Sequence, residues 1–89
     1  MVRKSKRDEF VGLIQGKLTV VEYAQTFEGL DRFAPDMIPT DRARREKFIK
    51  GMDIMVARDV RVTMSKAEIT YAQAVERALA VERTEKLSA

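Results

Sequence analysis

The chain has 89 residues and contains no histidine and no cysteine, the side chains most used for nucleophilic, redox and metal chemistry. Disulfides, thiolate metal sites and an imidazole titrating near neutral pH are therefore excluded. The close carboxylate groupings are Asp8 with Glu9 and Glu82 with Glu85. Paired carboxylates can do acid–base work only in a cleft, which a domain this small rarely has, and both groupings sit beside Lys or Arg as solvated helix positions do. There is no Gly-rich phosphate loop and no His–carboxylate metal spacing. No enzymatic activity, cofactor, metal or small-molecule substrate is expected.

What remains is cationic chemistry. Arg3, Lys4, Lys6 and Arg7 crowd the N-terminus, and Arg42, Arg44, Arg45, Lys47 and Lys50 crowd a second segment, within a net charge of +3. Clusters of this kind attract phosphates without reading sequence. Arg3, Lys4, Lys6, Arg7, Arg44, Lys47 and Lys50 are the candidate contacts for nucleic acid. Acidic residues are interspersed nearby, so the plainer reading is a solvated charged surface.

These residues need a scaffold, and its punctuation is legible. At this length the chain is one domain, burying about 60–65% of its unfolded surface. Hydrophobic residues make up 45% and charged residues 35%, the balance of a folded helical unit, not of a disordered tail. No apolar run approaches the roughly 20 residues that span a bilayer, and no signal-peptide pattern opens the chain. A soluble, cytoplasmic protein without membrane contact is expected.

The pattern predicts an all-α bundle of about five short helices, roughly residues 5–15, 20–33, 41–50, 53–64 and 71–86. Ser5 caps the first, Phe10, Leu13 and Ile14 form its apolar face, and Gly16 supplies a left-handed stop. Thr19 and Glu22 form a capping box for the second, whose inward stripe is Val20, Tyr23, Ala24, Phe27 and Leu30. Pro35 ends that helix, and Asp36 to Pro39 is a connecting loop. Thr40 opens the third helix, anchored by Phe48 and Ile49 and closed at Gly51. The fourth carries Ile54, Met55, Val56, Val60 and Met64, although Val60-Arg61-Val62-Thr63 alternates and also suits a strand. Thr70 and Gln73 make a second capping box, opening a helix that faces Tyr71, Ala74, Val75, Ala78 and Leu79 inward.

The order Gln15-Gly16, Thr19-Val20, Glu22-Tyr23, then Phe27, resembles the Gag capsid of gypsy-class LTR retrotransposons and, more distantly, the major homology region of retroviral capsids. Leu30-Asp31-Arg32-Phe33-Ala34-Pro35 is similar to the aromatic-Ala-Pro signature after the family's second helix. Lys47-Phe48-Ile49-Lys50-Gly51-Met52 resembles its F-x-x-G-L ending, with Met52 in place of Leu. Thr70-Tyr71-Ala72-Gln73-Ala74 and Ala78-Leu79-Ala80-Val81-Glu82 resemble its closing T-Y-x-E-A and A-L-x-x-E. The acidic and basic pair of the retroviral pattern is missing, its places falling near Leu18-Thr19 and on Thr26.

The resemblance implies a capsid C-terminal domain that self-associates and, with a separate N-terminal domain, builds a shell around element RNA. Gln15, Gly16, Thr19, Glu22, Tyr23 and Phe27 would be the homology-region residues, with Gln15 bonding backbone groups at the first helix's end. The third helix would be the dimer helix, through Arg42, Arg45, Phe48 and Ile49. The contact would be weak and salt-sensitive, and Ile49→Asp or Phe48→Asp would abolish it. Glu46 and Lys50 would pair within that helix. With no N-terminal domain or zinc knuckle in the sequence, an excised or repurposed domain is expected. Two alternatives stay open: a domesticated adaptor binding a partner peptide, and a weak, non-specific nucleic-acid-binding domain. Helix-turn-helix recognition fits less well, since the Arg-rich helix would come first of the two.

Overall fold

The computed structural model describes residues 6–88. The expected cap Ser5 and the cluster residues Arg3 and Lys4 lie outside them, as do the side chains of Lys6 and Glu85. The described chain runs α1 (Lys6–Val11), α2 (Val20–Phe33), a 3-10 turn (Pro35–Met37), α3 (Asp41–Gly51), α4 (Ile54–Met64) and α5 (Tyr71–Ser88). No strand occurs among the described residues, so the alternating segment Val60–Thr63 is helical. The protein is all-α. None of its described helices is long and apolar enough to cross a membrane.

The second helix forms for the reasons its sequence gives. The Thr19 hydroxyl accepts from the Glu22 N–H, and the Glu22 carboxylate accepts from the Thr19 N–H, at 3.2 and 2.9 Å. These bonds satisfy donors that a helix start leaves bare. Its buried residues are Val20, Tyr23, Ala24, Phe27 and Leu30, the expected stripe. Phe33 ends it, Ala34 caps it, and Pro35 starts a short 3-10 turn that runs into the stretch read as loop. Thr40 caps α3, accepting from the Ala43 N–H. Thr70 and Gln73 form the second capping box.

Two elements depart from the sequence reading. The first helix ends at Val11, not at Gln15, and the chain continues without helix through Leu13, Ile14 and Gln15. Gly12 follows Val11 directly, and glycine is a poor residue for helix propagation. Ile14 consequently points outward, 68% exposed, whereas Phe10 is fully buried. In α4, Ile54 and Met55 are also exposed, and only Val56 and Val60 are buried. The Asp53 carboxylate caps that helix by accepting from the N–H groups of Met55 and Val56.

Helix α5 packs against α2, α3 and α4, and α1 packs against α2. At the centre is an aromatic cluster. Tyr23 stacks on Phe48 with ring centres 4.8 Å apart, Phe27 meets Phe10 and Phe48 edge-on at 5.1 and 5.3 Å, and Tyr71 lies 5.6 Å from Phe27. Such pairs add about 0.5–1.5 kcal/mol each beyond their buried area. The Tyr23 hydroxyl donates to the Phe48 carbonyl at 2.8 Å, so its burial leaves no bare donor.

Burial holds both phenols well above the ordinary tyrosine value of 10.0, and at Tyr71 the neighbouring Glu28 carboxylate adds to the effect. The folded state thus keeps its phenolic protons where the unfolded chain releases them. Stability is fully present below the unfolded value, about pH 10, and falls as pH rises from there towards the raised folded values. Urea midpoints taken from about pH 8 to about pH 11 should therefore decline at the alkaline end. Tyr23→Phe should flatten the decline; an unchanged slope in that variant would refute the assignment.

Candidate functional site: the Gln15 turn

Gln15 is one of two polar side chains buried in the described core, 5% exposed, and it ties separate parts of the chain together. Its backbone N–H donates to the Gly51 carbonyl at 2.7 Å, and its side-chain Nε2 donates to the Leu18 carbonyl at 2.9 Å. Its Oε1 accepts from the Asp53 N–H at 3.0 Å. One amide therefore closes its own turn and fixes the junction between α3 and α4. The reading of Gln15 as a cap for the first helix is corrected: that helix stops earlier, and the partners are the turn and the start of α4.

Gly16 has φ of +54°, the left-handed region expected of it, but as the second residue of the Gln15–Leu18 turn and not as a helix stop. No other described residue has positive φ, so Lys17 does not, which is the pattern of a II′ turn. The start of α2 is completed from the far end of the chain, where the Glu82 carboxylate accepts from the Val20 N–H at 2.8 Å. The carboxylate of Asp41 at the start of α3 likewise accepts from the Tyr71 N–H at 3.0 Å. The structure thus brings Gln15, Gly16, Thr19, Glu22 and Tyr23 into one junction, with Phe27 one turn further along α2 in the aromatic cluster, and it adds Glu82, which the sequence reading placed among solvated carboxylates. Its signal was the A-L-x-x-E pattern, which marked the position without giving its role.

Gln15→Leu should remove both side-chain hydrogen bonds and cost about 2 kcal/mol, at about 1 kcal/mol for each. Denaturant melts of parent and variant check this, and a loss below about 0.5 kcal/mol would mean that water replaces the amide without penalty.

The residues assigned to self-association do not form a surface. Arg42 is exposed, but Arg45, Phe48 and Ile49 are buried at 4%, 0% and 1%. Arg45 is instead an internal clamp, donating to the Ile69 carbonyl at 2.7 Å and pairing with Glu68 and Glu46 at 3.4 and 3.2 Å. Its Nε has no partner among the described residues. The signal was available: Arg45, Phe48, Ile49 and Met52 follow the spacing of an inward stripe. The Glu46 carboxylate turns to Arg45 and to Arg61 of α4 (3.4 Å), so the expected Glu46–Lys50 pairing gives way to contacts with these arginines.

Apart from Lys47 and Lys50, which line one groove, the described candidate contacts for nucleic acid stand apart from one another. Arg7 pairs with Asp36 at 3.3 Å, and Arg44 pairs with Asp31 at 3.2 Å while lying over the Tyr71 ring. The Lys47 ammonium lies 4.9 Å from the Phe10 ring centre and within 3.5 Å of the Val11 carbonyl. Lys50 is exposed. Among the described residues no group of three or more acidic side chains is arranged to hold a metal ion.

Fold and junction together define a small all-α domain whose principal polar site is a structural turn. No family model, no curated protein and no solved structure matches the chain.

Proposed function

We propose that this chain is a structural self-association domain of the retrotransposon Gag capsid type, contributing to dimerisation and particle assembly around element RNA. The observation that carries the reading is the Gln15 junction. The residues that resemble the homology region, Phe27 apart, are the ones gathered there, and their chemistry is that of a rigid joint, with a buried amide, a positive-φ glycine and two carboxylate caps on one helix start. A domain spending its polar core on shape is suited to serve as a building block. Its partner is a second copy of itself, and contact with RNA is non-specific, through the dispersed cations.

Sedimentation velocity of the domain over a range of concentrations, at low and high salt, tests the proposal. A concentration-dependent equilibrium between monomer and dimer that weakens with salt is the expected result. A strict monomer under every condition would overturn it and leave the peptide-binding adaptor as the better reading.

A further inference from the structure

The burial of Arg45, Phe48 and Ile49 leaves the self-association reading without a surface, and the segment after α1 supplies one. Val11 and Ile14 are 63% and 68% exposed, and they stand as an apolar ridge where the first helix stops short. On one side of the ridge lies a groove between α1 and α2 bearing Asp8 and Glu9. On the other lies a groove against α3 bearing Lys47 and Lys50. Gly12, Leu13 and Ile14 line both grooves, so the two are flanks of one surface.

We infer that this ridge is a two-fold self-association surface, in which a second copy of the chain packs Val11 and Ile14 against the same residues and sets its acidic flank on the basic flank of the first. The inference rests on the self-association reading and says where that contact lies. Its argument is charge complementarity. A two-fold axis running along the ridge carries the acidic side of one copy onto the basic side of the other, twice over, as an isologous contact requires. An axis across the ridge would set like charges together. The centre is apolar and the rim charged, the usual anatomy of a specific interface. Burial and the nearby Lys50 charge also disfavour the Lys47 ammonium in the free domain, and an incoming carboxylate relieves that repulsion.

Charge reversal and mixing test this directly. Glu9→Lys cancels the acidic flank against the remaining Asp8 and Lys50→Glu cancels the basic one against the remaining Lys47, so each variant alone should self-associate at least about tenfold more weakly than the parent. Mixed in equal amounts, they should form a heterodimer, because each then presents the charge that the other lacks. Ile14→Glu, at an exposed position, should give a folded monomer by circular dichroism and sedimentation. A parent that dimerises while all three variants dimerise equally well would overturn the ridge and leave self-association standing. Reversal variants that remain monomeric when mixed would overturn the two-fold arrangement. A parent that stays monomeric overturns both readings and leaves the ridge to a partner of different sequence.

Discussion

Phe48→Asp and Ile49→Asp are expected to unfold the domain, not to separate a dimer. Phe48 is fully buried and touches the rings of Tyr23, Phe27 and Tyr71, while its own carbonyl receives the Tyr23 hydroxyl. Ile49 is 1% exposed beside it. Removing either side chain costs about 2–5 kcal/mol in lost packing, and a carboxylate placed there adds the penalty of an unpaired buried charge. A domain of this size holds about 5–10 kcal/mol in total, so either change consumes most of it. Circular dichroism at room temperature should show lost helicity, and thermal scans should lack a cooperative transition. A variant with near-parental helicity and midpoint would show that α3 is not seated as described. Arg42→Glu, on the exposed side of the same helix, is the control and should leave the melt unchanged within about 0.5 kcal/mol.

Three glycine-to-alanine changes should separate the reasons a glycine is present. At Gly51, an added methyl would collide with the Tyr23 hydroxyl and with the Leu13 carbonyl. Neither can retreat freely, since that hydroxyl is bonded to Phe48 and Leu13 adjoins the Gln15 junction. Gly51→Ala should cost about 1–3 kcal/mol by overpacking, although Gly51 does not have positive φ. At Gly16 nothing obstructs a methyl group, but the positive φ makes alanine unfavourable by about 1–2 kcal/mol. At Gly29, inside α2, a methyl meets nothing within 4 Å, and alanine should stabilise by about 0.5–1 kcal/mol. Urea melts of the three variants check the set. Gly51→Ala as stable as the parent would contradict the close approach of Tyr23 to the α3–α4 junction.

The second helix was legible because two independent signals agreed, a capping box fixing its start and a single apolar stripe fixing its phase. The fourth was less so. Apolar residues at Ile54, Met55, Val56, Val60, Val62 and Met64 surround the helix, and periodicity alone cannot choose a face. The Asp53 cap and the packing of α5 decide it, placing Val56 and Val60 inward. In α3 the few apolar residues mark the buried side, but the dimer-helix reading places Arg45, Phe48 and Ile49 on a surface, and all three are buried. Arg45 buries its stem beside Phe48 and Ile49 and meets its charge with the Ile69 carbonyl and nearby carboxylates, an arrangement that depends on residues more than 20 positions away. The end of α1 was misjudged because a glycine followed by a turn looks the same in sequence whether or not the preceding residues are helical. The residues of the Gln15 junction were legible, but their partners were not, since a glutamine's hydrogen bonds with a distant junction leave no local pattern.

The bond from the Val20 N–H to Glu82 joins residues 62 positions apart. During synthesis the Gln15 turn and the opening of α2 leave the ribosome well before the carboxylate that completes them. Helix α5 also brings Ala74 and Ala78, both fully buried, to the shared core. A ribosome-bound chain therefore holds its early helices without their closing element until nearly the whole domain has emerged. The early helices reach their final packing only once α5 is free to join them.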